Sequence, residues 1–375
     1  MGFNIDRSIT RKVFAGGVPI GGGSPISVQS MTNVLTTDIE AVSTQIDILA
    51  TLGAEIVRIA VPDTESAAAL RSIIEKSPVP IVSDIHFDPE LAIMALEAGT
   101  DKLRLNPGNI RRKTDVWRIA EKALEYQVPI RIGVNSGSLP GDLRDRYGGV
   151  NKDSMWASAK RHLELFEEAE FKDIVLSLKS SDPVLTVEAN RMASAECDYP
   201  LHLGVTEAGP RLTGSVRSAV ALSILLAEGI GDTIRISLSG SPEKEPVVAW
   251  EILSSLDIRR RFPRVISCPT CARTRIDVAG LAESIQESLE GTIGNITVAV
   301  MGCEVNGPGE ARDADIALIA TPSGIQLFIE GENTGGIPDS DMKNYLNGIV
   351  NSYIHKSENR GRTGNGLKKN GEDST

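Results

Sequence analysis

Aromatic side chains are few in this chain: seven Phe, five Tyr and three Trp among 375 residues. A core with so few rings is built from aliphatic side chains. Basic residues fall short as well: 39 Lys and Arg face 50 Asp and Glu, for a net charge of -11. That deficit, with the shortage of rings, argues against a nucleic-acid or anionic-membrane partner. It leaves an anionic small molecule open, because a local arginine cluster outweighs a distant negative field at a few ångströms. Cysteine is scarce too. Cys197, Cys268, Cys271 and Cys303 are too few for a disulfide framework in a chain of this length. No apolar run approaches the roughly 20 residues that cross a bilayer, and residues 1–10 carry no apolar signal core. The expectation is a cytoplasmic protein with reduced thiols, where clustered cysteines serve a metal or catalysis.

The apolar fraction, 41%, supports a sizeable core. Short apolar runs fall at 26–29, 55–60, 80–84, 102–105, 129–134, 173–178, 201–206 and 233–238. Between them, apolar residues recur at helical spacing over 39–52, 89–98, 116–126, 154–170 and 216–228. Eight strands alternating with helices predict a parallel sheet. Closure into a TIM (β/α)8 barrel is the economical arrangement, with an open doubly wound sheet as its competitor. Further strand runs at 265–266, 296–301, 315–320 and 325–329, with helical runs at 276–289 and 339–355, predict a small α+β domain. The expected division is an α/β barrel over 1–258, a second domain over 259–357, and a polar, disordered tail over 358–375.

Barrel chemistry sits at the C-terminal ends of the strands. Those ends carry Gln29 and Ser30, Arg58, Asp84 with His86, Arg104 with Asn106, Arg131 with Asn135, Lys179, Glu207 and Ser237. Arg58, Arg104, Arg131 and Lys179 thus converge on one rim, where guanidinium forks match phosphate oxygens. Salt bridges within the rim are the plainer reading, but Asp84 and Glu207 are the only acids placed to make them. Glu207 is expected opposite the cations, its acidity set by burial near positive charge, as a proton carrier. His86 reads as a polar wall residue. Gly21-Gly22-Gly23 and Asn106-Pro107-Gly108 lack the spacing of a nucleotide loop and read as turns.

Cys268-Pro269-Thr270-Cys271 alone is ambiguous between a redox pair, zinc and an iron–sulfur cluster. Cys303 adds a third thiol, in a turn where Gly302, Gly307 and Gly309 let peptide N–H groups approach sulfur. His86, His162, His202 and His355 are all remote in sequence, and Glu310 closes the same glycine-rich turn. A structural zinc site would close with a fourth Cys or His, whereas a replaceable carboxylate suits a catalytic cluster. Cys197 has no partner in sequence and reads as an ordinary small residue.

These segments together resemble the 4-hydroxy-3-methylbut-2-enyl diphosphate synthase family. The likeness rests on Val18-Pro-Ile-Gly-Gly-Gly23 with Ser27-Val-Gln-Ser-Met-Thr-Asn33, Asp84-Ile-His-Phe-Asp88, Leu105-Asn-Pro-Gly-Asn109, Arg131-Ile-Gly-Val-Asn135, His202-Leu-Gly-Val-Thr-Glu-Ala-Gly209, the Cys268–Cys271 pair, and Gly302-Cys303 through Glu310. It covers about residues 10–315. The segment 317–324 departs from the glycine- and lysine-rich turn of the family. The resemblance implies a barrel followed by a [4Fe-4S] domain, with the cluster on Cys268, Cys271, Cys303 and Glu310. It implies 2-C-methyl-D-erythritol 2,4-cyclodiphosphate as substrate, reduced with electrons from flavodoxin or ferredoxin. Arg58, Asp84, Arg104, Arg131, Asn135, Lys179 and Ser237 would bind it, and Glu207 would act as acid. The resemblance also implies a head-to-tail homodimer. Two readings of other classes compete: a zinc-dependent barrel lyase or hydrolase, and a non-enzymatic iron–sulfur sensor.

Overall fold

The computed structural model describes residues 5–106, 109–110, 112–305, 307–337, 345, 348–350 and 352–354. The chain divides into two compact units, Met1–Arg259 and Arg260–Thr375.

The first unit opens with an antiparallel hairpin, β1 (Val13–Ala15) and β2 (Val18–Ile20). Eight parallel strands follow: β3 (Ser27–Met31), β4 (Ile56–Ala60), β5 (Ile81–Ile85), β6 (Lys102–Leu105), β7 (Ile130–Asn135), β8 (Ile174–Lys179), β9 (His202–Leu203) and β10 (Thr233–Ile234). Their order is β8-β7-β6-β5-β4-β3-β10-β9. A parallel bridge from Leu176 to Leu201 joins the two ends. There the Leu176 N–H donates to Pro200 O at 2.8 Å and the Thr206 N–H to Ser180 O at 3.1 Å. The sheet is therefore a barrel, and the open-sheet alternative fails.

Helices return the chain between strands, and their starts are fixed by short acidic or amide side chains. Asp38, Asp63, Asp88, Asn151 and Asp182 accept hydrogen bonds from the N–H groups of Ala41, Ser66, Glu90, Ser154 and Val184. Each cap satisfies a donor the helix leaves open and typically stabilises it by about 1 kcal/mol. Four of these caps lie in loops that follow the C-terminal ends of β3, β4, β5 and β8, so they also hold the mouth loops in place.

Alternate strand residues point inward. At the N-terminal end the interior is aliphatic: Ile20, Val13 and Ala15 of the hairpin pack on Ile56, Val82 and Val175. The hairpin plugs the barrel floor, a role the sequence pattern did not reveal. Toward the other end the interior turns polar and charged.

The second unit is a five-stranded mixed sheet: β11 (Arg264–Ser267), β12 (Thr297–Met301), β13 (Ile316–Thr321), β14 (Gly324–Ile329) and β15 (Glu332–Gly336), in that order. The first three are parallel and the rest antiparallel. The helix Val278–Ser288 buries Val278, Ala282 and Ile285 in a core with Val298, Val300, Ile316 and Leu318. Strand β15 is solvent-exposed along its whole length, so it has no apolar alternation to betray it. Of the expected 339–355 helix, only Tyr345, 348–350 and 352–354 are described, and these are helical. The expected disordered tail over 358–375 lies outside the described residues.

Ile20 is fully buried in the floor cluster. Ile20→Ala should lower unfolding stability by about 2–5 kcal/mol through lost burial and the cavity left behind. Urea unfolding reads the change, and a loss below about 1 kcal/mol would show that the hairpin does not plug the floor.

Candidate functional site

The inward residues at the C-terminal ends of the barrel strands form a cleft enclosing about 440 Å³. Arg58, Asp84, Arg104, Arg131, Asn135, Lys179 and Ser237 all line it, together with His86, Gly133, Ser177, Thr206 and Arg235. All seven residues expected to bind substrate are thus brought together. Register explains the convergence: Arg104 lies opposite both Asp84 and Arg131, Ala60 opposite Asp84, and Asn135 opposite Lys179.

The acids of this cleft are outnumbered. Asp84 accepts from Arg104 Nη1 at 3.0 Å and stands 3.7 Å from Arg58 Nε. Burial alone would raise the Asp84 carboxyl, but Arg58, His86 and Arg104 outweigh it and hold it well below its usual range. Arg58 otherwise directs Nε and Nη2 at the sulfur of Met31, at 3.0 and 2.7 Å. Sulfur is a weak acceptor, so this guanidinium remains poorly satisfied. Arg131 is 1% exposed, and its Nε and Nη2 have no hydrogen-bond partner. Burial, and then Arg131, Arg235, Arg58 and Arg104, push the Lys179 amine well below its usual range. A buried set of cations with this few counter-charges is costly unless an anion joins it.

Two glycines make the space. A Cβ on Gly133 would stand 2.8 Å from Arg104 Nε, and one on Gly204 would stand 2.7 Å from Lys179 Nζ and 2.4 Å from the Arg235 carbonyl oxygen. Both positions let a long cation lie over the neighbouring strand.

Arg235 is the residue that sequence reading missed. It sits just beyond β10, two residues before Ser237, and 3.4 Å from both carboxylate oxygens of Glu245. Glu245 is buried and also accepts from the Leu238 N–H at 3.0 Å and Ser30 Oγ at 3.3 Å. Inward alternation from Thr233 was the available signal. His86 is more than a wall: its Nε2 lies 2.8 Å from Arg104 Nη1 and 3.4 Å from Asp84 Oδ2.

Glu207 departs from its expected setting. It is exposed, not buried among the cations, and does not line the cleft, although its neighbour Thr206 does. The turn after β9 holds it at φ 52°. Left-handed backbone is uncommon for a non-glycine residue, and such strain clusters at functional sites. Asn106 is buried near the same strand ends, while Pro107 and Gly108 lie outside the described residues.

In the second unit, Cys268, Cys271 and Cys303 line one cavity of about 450 Å³, with Thr274, Gly302 and Gly307. Cys268 and Cys271 follow β11, and Cys303 follows the neighbouring strand β12, so parallel pairing brings the thiols to the same sheet end. The Gly302 N–H donates to Cys268 Sγ at 3.2 Å. Peptide donors of this kind surround cluster sulfurs. A Cβ on Gly302 would meet Val278 and Thr274 at 2.9 and 3.0 Å, so glycine is needed for this approach. Glu310 ends the short helix Gly307–Glu310, and its side chain lies outside the described residues. Cys197 caps the helix Pro183–Glu196 and donates to Ala193 O at 3.2 Å; it belongs to the first unit and the other three thiols to the second.

A barrel with a cation-lined cleft, followed by an α+β domain with a three-thiol cavity, defines the class: a (β/α)8 protein with a cysteine-bearing second domain. The chain belongs to the GcpE family. The GcpE TIM-barrel domain matches residues 10–250, and the GcpE C-terminal domain matches 264–352, spanning the divergent 317–324 segment. Among curated relatives, the 4-hydroxy-3-methylbut-2-en-1-yl diphosphate synthase (flavodoxin) of Nitratidesulfovibrio vulgaris is 51% identical over 88% of this chain and 85% of its own length. The synthase of the same name from Geobacter sulfurreducens is 48% identical over 91% and 96%. That of Lawsonia intracellularis is 49% identical over 93% and 97%.

Asp84 contributes stability only while ionised. Because its folded form ionises more readily than its unfolded one, that contribution is complete above the unfolded carboxyl value, near 3.8, and drains away as pH falls below it. Asp84→Asn should therefore lose about 3–5 kcal/mol near neutrality, the usual cost of breaking a buried pair. The gap to wild type should narrow below pH 3.8. Equal stabilities at pH 7 would contradict the pairing.

Proposed function

We propose that this chain catalyses the reductive ring opening and dehydration of 2-C-methyl-D-erythritol 2,4-cyclodiphosphate to (E)-4-hydroxy-3-methylbut-2-enyl diphosphate, a step of isoprenoid precursor synthesis. The observation that carries this reading is the surplus of buried cations in the barrel cleft. Two electrons and one proton enter, the ring C–O bond to phosphate breaks, and a hydroxyl leaves as water. The dianionic cyclic diphosphate thereby becomes a trianionic open one, so negative charge grows in the cleft as the ring opens. Arg58, Arg104, Arg131 and Lys179 are already in place, and fixed donors aimed at developing charge are a large source of rate enhancement. Asn135 and Ser237 supply neutral hydrogen bonds that orient the same oxygens.

The residues of the second cavity fit a [4Fe-4S] cluster. Three thiols ring the space instead of converging on a point, and Gly302 supplies an N–H to sulfur. Among the described residues, no three His, Cys, Asp or Glu side chains are grouped to hold a single metal ion. Cys268, Cys271 and Cys303 would be ligands, with Glu310 the fourth, exchangeable one. When bound, the cluster supplies single electrons from a flavodoxin- or ferredoxin-type donor and a Lewis-acidic iron. We assign Glu207 as the proton carrier, delivering from its carboxyl beside Thr206 to the leaving hydroxyl. An exposed position keeps it in exchange with solvent protons.

We further assign the barrel mouth as the surface covered in a head-to-tail homodimer. Leu35, Phe87, Val184 and Leu212, each 66–78% exposed, lie in segments following β3, β5, β8 and β9 on the mouth side. No helix among the described residues is long and apolar enough to cross a membrane, in keeping with a cytoplasmic site of action.

Cys303→Ser should lose the iron–sulfur absorbance, the bound iron and sulfide (about four each per chain in the cubane form) and turnover together. A Cys303→Ser protein that keeps full reductive activity would remove the cluster role, and one zinc per chain in wild type would favour the lyase reading instead. Glu207→Gln should bind the cyclodiphosphate with unchanged affinity and turn it over about 100-fold or more slowly, the usual scale of a general acid. A near-normal rate would exclude Glu207 as the acid.

A further inference from the structure

Below the anion cleft the barrel holds a second polar layer that the proposed chemistry does not use. Lys102 precedes Arg104 by two residues in β6 and so points to the same interior side. It is 0% exposed, and its Nζ has no hydrogen-bond partner. Its setting repeats this pattern. His202 is fully buried with both ring nitrogens unpartnered, and Gln29 is buried with neither amide atom bonded. Thr233, in register with both His202 and Ser27, leaves its hydroxyl unpartnered, as does Ser27. Unmade bonds at buried polar groups are expensive, and interiors of this kind are normally hydrated.

The charged and titratable groups that face Lys102 come from every side of the barrel. Arg58 on β4, Arg131 on β7 and His202 on β9 are cations or potential cations within its field, Lys179 on β8 and Arg235 beyond β10 line the cleft with Arg58 and Arg131, and Arg104 is the next inward residue of its own strand. Against them stand Asp84 on β5, already shared by Arg58 and Arg104, and Asp101, whose Oδ2 accepts from the Ile81 N–H at 2.7 Å. Burial, then Arg131 and Arg58, push the Lys102 amine well below its usual range, and only Asp101 pulls the other way.

We propose that Lys102 is a second-tier positioning residue of the anion cup: a buried amine that is neutral while the cup is empty and is protonated from solvent when a diphosphate fills it. The inference rests on the reading of the cleft as a diphosphate site. An incoming anion reverses the local field, so the lysine that was disfavoured as a cation becomes its counter-charge. The layer of unpartnered hydroxyl, amide and imidazole groups around it provides the hydrated medium through which the proton arrives. Charge in the empty barrel is thereby kept lower than the residue count suggests, and a matching positive charge appears only with the anion.

Inorganic pyrophosphate is the probe. Calorimetric titration of the full-length protein at pH 8, in two buffers of different ionisation heat, counts the protons taken up per molecule bound. Wild type should take up about one more proton than Lys102→Gln, since the ionisation of pyrophosphate itself contributes equally to both. Lys102→Gln should also bind about tenfold or more weakly, with its affinity falling less steeply as pH rises. Equal proton counts in the two proteins would overturn the proposal while leaving the cup intact. Failure of wild type to bind pyrophosphate at all would instead sink the diphosphate reading, and this inference with it. Should Lys102→Gln fail to fold, Lys179→Gln enriched with 13C at lysine Cε and titrated to saturation gives the answer, because the other buried amine of the cup is then absent from the spectrum. A neutral-amine resonance in the empty protein should move to the charged position on adding pyrophosphate, and a spectrum in which every lysine is already charged would overturn the proposal.

Discussion

Positive charge buried without enough negative charge is the constraint around which the barrel is organised. Arg58, Arg104, Arg131, Lys179 and Arg235 line one cleft, and Asp84 and Glu245 are the acids that touch them. Desolvating a cation costs several kcal/mol even after relaxation. A fold carries such a cost only where surrounding structure holds it, and here that structure can be named. Gly133 and Gly204 open paths for Arg104 and Lys179, and Asp84 is shared by two guanidinium groups. The aliphatic floor around Ile20 seals the opposite end of the barrel. The floor and the helix caps supply apolar burial and satisfied N–H groups, while the mouth gathers the cations.

The same logic separates the two units. The barrel gathers charge, whereas the second unit gathers thiols, and it does so by a different device. Adjacent parallel strands deliver Cys268 and Cys303 to one sheet end, and a glycine that no larger residue could replace brings a peptide N–H onto sulfur. The cation cleft and the thiol cavity are thus built on separate cores.

Much of this was legible in the sequence. The eight apolar runs mark the eight barrel strands because a parallel sheet covered on one face by helices and filled on the other needs near-continuous burial. Arg58, Arg104 and Arg131 stand out as charges inside such runs, and inward alternation takes them to one rim. Arg235 escaped although it lies inside the 233–238 run, because β10 itself ends at Ile234 and only Ser237 was read as a strand-end residue of that run. Glu207 was placed in the right loop but in the wrong environment. Its exposure follows from a left-handed turn that its residue type does not announce. The floor hairpin and β15 were missed because one is made of three-residue strands and the other is exposed along its whole length. Lys102 lies within a run that was recognised, yet pattern alone could not say that its amine would find no partner.

The central claim is that the barrel mouth is completed by an anion. Thermal unfolding of the barrel in increasing inorganic pyrophosphate tests it most directly, because a ligand bound only by the folded state raises the midpoint with its concentration. The account predicts a steady rise that Arg131→Ala largely abolishes. A midpoint indifferent to pyrophosphate, or one raised equally in Arg131→Ala, would contradict it.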